Sequence, residues 1–123
     1  MVKSAAFARI KAQVLQVTAS IPAGKVCTYH SIGAYLDVMP RHVAYILSQL
    51  DPTAKLAYPW YRVVGGDGTL GVVKRGPDGV TLAELLAYEA VQVVGNAVWP
   101  DLETHLVPAE RLAHGLARQR RPR

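Results

Sequence analysis

The sequence predicts a mainly α-helical domain with a small β element, organised as a winged helix-turn-helix. Three observations predict it. Two short helical patterns meet at a tight turn before Pro40, with Arg41 pointing outward from the first turn of the second. A glycine-rich turn, Gly65-Gly66-Asp67-Gly68, stands between short valine-containing segments. The 123 residues are 50% apolar, enough for one core and too few for several domains.

Taken in order, Phe7, Ile10, Val14 and Val17 recur at helical spacing and predict a first amphipathic helix. Ile21-Pro22-Ala23-Gly24-Lys25 then turns the chain, because proline ends the helix and glycine permits the bend. Thr28 is placed to cap a second helix running through Leu36. Asp37-Val38-Met39-Pro40 breaks that helix, and Pro40 suits the first turn of a third, expected to reach about Leu50. In that third helix Val43, Ile46, Leu47 and Leu50 form the core stripe, which turns Arg41, Tyr45 and Ser48 to the opposite face.

Pro52 and Pro59 are expected to bracket a loop. Trp60 to Val64 and the segment after Gly68 are expected to be strands joined by the glycine turn, with a further loop at Gly71 and Gly76 to Gly79. Thr81 is placed to cap a last strong helix carrying Leu82, Leu85, Leu86 and Glu89. Beyond Gly95 the periodicity is poor, with a short helix expected between Leu106 and Leu116. The expected organisation is therefore a domain over 1–95 and a C-terminal extension over 96–123 that ends in an Arg-rich tail.

Charge divides the chain into three blocks, within a formal net charge of +5. Residues 1–76 carry nine Lys/Arg against three Asp, residues 77–110 carry six acidic side chains and no Lys or Arg, and the last thirteen residues carry five arginines. A basic front half and tail suit a phosphate backbone, whose condensed counterions are released on binding. The tail contacts would add affinity without sequence information. The single cysteine, Cys27, excludes an internal disulfide, and one thiol with four scattered histidines lacks zinc-ligand spacing, so no metal and no cofactor are expected. No apolar segment of signal or membrane-span type follows Met1-Val2-Lys3, and a cytoplasmic, monomeric protein is expected.

Five motifs in series carry a resemblance: Ile21-Pro22-x-Gly24-x-Val26-x-Thr28-Tyr29, Pro40-Arg41-x-Val43, Pro59-Trp60-Tyr61-Arg62-Val63-Val64, Gly68-Thr69-Leu70-Gly71 and Leu86-x-x-Glu89. Over roughly residues 5–93 the chain resembles the DNA-binding domain of the O6-alkylguanine-DNA alkyltransferases. Repair enzymes of that family carry Pro-Cys-His-Arg-Val, with the cysteine as suicide acceptor of the alkyl group. Here Trp60 stands in the cysteine's place, as in the alkyltransferase-like proteins, and an indole cannot act as a thiolate.

The resemblance implies that Tyr29 pushes the target nucleotide out of the duplex and that Arg41 fills the vacated stack, docking through the minor groove. Pro40, His42 and Tyr45 accompany Arg41 on the DNA side. It implies a lesion pocket formed by Trp60, Tyr61, Arg62, Val63, Val73 and Glu89. It further implies a non-enzymatic sensor, with duplex DNA containing alkylated guanine and nucleotide excision repair proteins as partners.

Departures from the pattern are equally specific. Tyr61 replaces the usual His, leaving Glu89 as a structural partner for Tyr61 or a helix end. The interval from Tyr29 to Arg41 is short, and His30, Ala44 and Tyr45 replace common glycines. Trp60 reads either as a core aromatic or as a pocket wall. Cys27, in an apolar stretch without a neighbouring base, reads as buried and structural, against the alternative of a displaced acceptor. The other alternative is a general winged-helix regulator, which needs the basic helix-turn-helix but has no use for the Pro59 to Val64 motif.

Overall fold

Fifteen residues of continuous helix open the fold, α1 (Ala5–Ala19), with Val14 and Val17 fully buried and Phe7 and Ile10 packed against the core at its edge. The computed structural model describes residues 5–70 and 79–112. After the Pro22 turn comes a two-residue strand, β1 (Cys27–Thr28), then α2 (Tyr29–Leu36) and α3 (Pro40–Ser48). The starts of both helices lie where the local chemistry predicts. The Thr28 hydroxyl accepts from the Ser31 N–H at 2.9 Å, satisfying one orphan donor of α2, and Pro40 sits in the first turn of α3. The third helix stops at Ser48, short of Leu50, although Leu50 remains buried below it.

The α2–α3 turn closes tightly over a glycine. Asp37 takes a left-handed conformation (φ 63°) and the Val38 N–H donates to the Gly33 carbonyl at 2.9 Å, folding the turn back onto α2. A Cβ at Gly33 would lie 2.6 Å from the Val38 carbonyl oxygen and 3.2 Å from the Pro40 nitrogen, both backbone atoms. Gly33→Ala is therefore expected to pry the two helices apart and lower stability by about 1–3 kcal/mol. Urea unfolding checks this, and a change under 0.5 kcal/mol would mean that the turn yields freely.

The expected loop between Pro52 and Pro59 is a helix, α4 (Pro52–Ala57). Its signal was present: the Asp51 carboxylate accepts from the Ala54 N–H at 2.8 Å and Pro52 opens the first turn, an N-cap followed by proline. The proline pair masked it, because the first proline starts the helix and only the second ends it. Trp60–Arg62, expected as strand, is a single 3₁₀ turn, and β2 (Val63–Val64) follows.

The glycine turn exists, with Gly65 N–H donating to the Thr69 carbonyl at 2.7 Å, but the segments it joins pair elsewhere. Strand β2 lies parallel to β1, with Cys27 opposite Val63 and Thr28 opposite Val64, whereas Thr69 bridges to Ala97. Residues 71–78, with Gly71, Gly76 and the remainder of the expected wing, lie outside the described residues. Thr81 caps α5 (Leu82–Tyr88) through a reciprocal capping box with Glu84, and Glu89 is the C-cap rather than part of the helix face.

Beyond α5 the chain makes a hairpin, β3 (Val93–Val94) and β4 (Ala97–Val98), turning at Gly95-Asn96, then α6 (Leu102–His105). The helix expected from Leu106 is replaced up to Leu112 by extended chain and a 3₁₀ turn at Ala109–Arg111; residues 113–116 lie outside the described residues. Its backbone pairs with Val26, the residue just before β1: Val26 N–H donates to the His105 carbonyl and Val107 N–H to the Val26 carbonyl, both at 2.9 Å. Val98, Ala109 and Leu112 join the same buried cluster as Val14 and Ile32. Residues 96–112 thus share one core with the helices that precede them.

Candidate nucleic-acid interface and the Glu89 hub

Tyr29 is the first residue of α2, directly after the β1 strand and its capping Thr28, and is partly buried. Burial pushes its phenol above the ordinary tyrosine range, so the hydroxyl remains a neutral donor at physiological pH. Pro40, Arg41, His42 and Tyr45 lie on the solvent side of α3, Tyr45 half-exposed, while Val43, Ile46 and Leu47 face inward. The outward placement of Arg41 follows from that stripe: with the core residues fixed, helical geometry leaves Arg41 no inward direction. Met39, one residue earlier, adds an apolar side chain 48% exposed at the tip of the turn. A basic residue, a histidine, a tyrosine and an apolar tip on one exposed helix start can meet phosphate and base surfaces together.

The second grouping centres on Glu89. Tyr61 Oη donates to Glu89 Oε2 at 2.8 Å, Arg62 Nε donates to Oε1 at 2.9 Å, and Arg62 Nη2 closes a salt bridge to Oε2. The Gly24 N–H donates to Oε1 at 3.3 Å, and Arg62 Nη1 donates to the Ile21 carbonyl at 2.6 Å. Both charged side chains are more than four-fifths buried. Burial pushes the Glu89 carboxyl up, but the hydrogen bonds from Arg62, Tyr61 and Gly24 together outweigh it and hold the group below the ordinary carboxylate range.

Gly24, at φ +85°, is gripped from both directions, since its carbonyl accepts from His105 Nδ1 at 2.8 Å. Of the two partners the sequence leaves open for Glu89, Tyr61 or a helix end, the structure shows the bond to Tyr61. The contributions of Arg62, Gly24 and Ile21 had no signal in the spacing of the sequence.

Trp60 is only 4% exposed and belongs to the buried cluster. Its ring lies perpendicular to that of Tyr61 at a centroid distance of 6.0 Å, and its centroid is 5.8 Å from Lys55 Nζ. Lys55 and Tyr61 also line, with Leu56, Tyr58, Pro59 and Arg62, a concavity of about 280 Å³ beside this segment. Val63 is fully buried in β2, and Val73 lies outside the described residues. Cys27 is fully buried, and burial raises its thiol, only partly offset by hydrogen bonds from Ser31 and Thr28. A thiol so placed is a poor nucleophile. Among the described residues no three His, Cys, Asp or Glu side chains are grouped to hold a metal ion, and no helix is long and apolar enough to cross a membrane.

A family model described as the DNA-binding domain of 6-O-methylguanine DNA methyltransferase matches residues 9–91. The chain belongs to that family. The matched span runs from α1 to the end of α5 and holds the Tyr29 helix, the Arg41 helix and the Glu89 hub. Among solved structures, that of S. pombe Atl1 in complex with damaged DNA containing O6-carboxymethylguanine is similar to this family member with a TM-score of 0.68 and 23% identity, over 81% of this chain and 95% of that one. The structure of S. pombe ATL in complex with DNA gives the same figures. At that identity the likeness establishes the shared fold, mainly helical with a small sheet and a helix-turn-helix. No curated protein sequence matched.

Proposed function

We propose that this chain recognises O6-alkylguanine in duplex DNA by flipping the nucleotide from the minor-groove side, does not transfer the alkyl group, and marks the lesion for nucleotide excision repair. The observation that carries the reading is the α2–α3 pair: a half-buried Tyr29 opening one helix and an exposed Arg41 in the first turn of the next. Membership of a methyltransferase DNA-binding family, and a fold shared with a protein solved on damaged DNA, favour DNA carrying a lesion over other anions. In this reading Tyr29 presses on the target phosphate, Arg41 enters the stack, and Pro40, His42 and Tyr45 flank it. Extrusion forfeits a few kcal/mol of stacking and pairing, which an inserted guanidinium partly restores.

Two features support the absence of alkyl transfer. Trp60 offers no ionisable thiol, and the chain's single cysteine is buried with its thiol raised. In this reading Trp60, Tyr61, Arg62 and Glu89 form the wall near the lesion, and the family pattern assigns Val63 to it through its backbone carbonyl and Val73 to its lid. DNA is the ligand, no cofactor is needed, and a monomer in the cytoplasm suffices.

The test is equilibrium binding to two duplexes that differ in one O6-methyl group. We expect at least about a tenfold preference for the lesion, equivalent to ~1.4 kcal/mol, and no label on the protein when the methyl carries one. In a double-mutant cycle, Tyr29→Phe and Arg41→Ala should couple by at least about 0.5 kcal/mol on lesion DNA, because pushing and plugging are halves of one rearrangement. Equal affinity for both duplexes with strictly additive losses would make the chain a general helix-turn-helix regulator instead.

A further inference from the structure

Tyr29 stands within a stretch that one distant segment of the chain holds on both sides. Before it, the Gly24 carbonyl accepts from His105 Nδ1 at 2.8 Å and Lys25 Nζ donates to the Thr104 carbonyl at 3.1 Å. Val26 is bonded through its N–H to the His105 carbonyl and through its own carbonyl to the Val107 N–H. After it, the Ser31 hydroxyl oxygen accepts from the Ala109 N–H at 2.8 Å. The 3₁₀ turn at Ala109–Arg111 packs against α2, and Ala109 and Leu112 are buried in the core cluster. Residues 104–112 thus tie down 24–26 and 31, while Tyr29 between them stays partly exposed.

Ser31 is where this segment meets α2 directly. It lies in the same first turn as Tyr29, and its N–H is the one that Thr28 caps. Ala109 is fully buried, and a buried donor without an acceptor is costly, so the bond to Ser31 is one the fold keeps. A helix of eight residues is too short to hold itself in water. Ties from outside the helix therefore decide how firmly its first turn stands. The family model ends at residue 91, so this support comes from beyond the matched span.

We propose that residues 104–112 are a positioning element for Tyr29, with Ser31 the positioning residue through which they fix the first turn of α2. The inference rests on the reading of Tyr29 as the residue that presses on the target phosphate. Pushing a nucleotide out of the stack needs a side chain whose support does not yield, because small play in that support loses the productive geometry. Contacts from long Lys and Arg side chains to the backbone of intact duplex tolerate such play. Loosening the tie therefore costs lesion preference and spares affinity for intact DNA.

The experiment compares the native full chain with Ser31→Ala, Ser31→Thr and the core variant Val98→Ala, each titrated onto duplexes with and without one O6-methylguanine. A 2-aminopurine beside the lesion reports flipping, since its fluorescence rises as stacking is lost. We expect Ser31→Ala to lower the lesion preference by at least about fivefold, to diminish the fluorescence rise at saturation, and to keep affinity for intact duplex within about twofold. Ser31→Thr retains the hydroxyl and should restore both signals. Val98→Ala, at a site in β4 that is 1% exposed, lowers stability without removing any of these ties and should keep both. Should Ser31→Ala fail to fold, Leu112→Ala loosens the end of the segment without orphaning a donor and should show the same selective loss.

A preference that falls in step with melting temperature across all variants, Val98→Ala included, would make the segment a plain stabiliser and overturns the proposal. Native preference and fluorescence in Ser31→Ala, or in Leu112→Ala where the first does not fold, sink the inference alone. Equal affinity of the native chain for the two duplexes would sink the functional reading, and the inference with it.

Discussion

Trp60→Ala is expected to lower the free energy of unfolding by about 3–5 kcal/mol, the usual effect of emptying an indole-sized site in a core. The expectation follows from Trp60 being 4% exposed and packed in the central cluster, its ring at 88° to that of Tyr61. A protein of this size, stable by roughly 5–15 kcal/mol, would lose a large share of its margin. Urea unfolding measures the change, and a loss below about 1 kcal/mol would show that the ring is a detachable wall rather than a core member.

Trp60→Cys should be nearly as destabilising and a very slow alkyl acceptor. A thiol of pKa ~8.5 needs a base, and the phenol of Tyr61 is already committed as a donor to Glu89. Adding Tyr61→His should raise transfer more than binding. Transfer of a labelled methyl group to the single and double variants decides it, and rapid stoichiometric transfer by Trp60→Cys alone would show that Tyr61 does not block the chemistry.

Glu89→Ala is expected to lower stability by about 3 kcal/mol, the lower end for stripping one partner from a buried ion pair. Among the described residues it leaves the Arg62 guanidinium with the Ile21 carbonyl and the Tyr61 hydroxyl, and it strips the Gly24 N–H of its carboxylate acceptor. Glu89→Gln should fall between Ala and the native residue, since an amide oxygen still accepts but carries no charge.

The pH dependence has a definite sign. The folded carboxyl lies below its unfolded value of ~4.3, so its stabilising contribution is complete above that pH and is lost as pH falls through the folded value. Urea midpoints taken downward from pH 6 should therefore fall more steeply for the native chain than for Glu89→Gln. Parallel curves would mean that Glu89 does not titrate below its unfolded value.

The helix-turn-helix was legible because its signals are local. Thr28 and Thr81 each cap through a bond spanning three residues, Pro40 opens a helix whose core stripe recurs every three or four positions, and Arg41 is outward once that stripe is inward. The Tyr61–Glu89 bond was legible as one of two partners open to Glu89, since a carboxylate left without an imidazole still needs a donor. The α4 helix was misread despite an Asp51-Pro52 start, because proline breaks and begins helices with equal right. The β3–β4 hairpin went unread despite its Gly95-Asn96 turn, because two-residue strands are too short for alternation to register.

By itself the sequence determined which segments form the helices around the candidate interface, where they start, which side of α3 meets solvent, and that no thiol stands at position 60. Each depends on residues within about one helical turn, where steric and capping chemistry act directly. The tertiary structure alone decided that β2 pairs with β1 instead of with the segment after the glycine turn, and that residues 105–107 pair with Val26 just before β1. It also decided that Trp60 closes into the core and that Glu89 gathers Tyr61, Arg62 and Gly24 from 28, 27 and 65 positions away. Those outcomes are chosen by the burial of apolar surface and the satisfaction of every buried donor across the whole chain, a condition no local window contains.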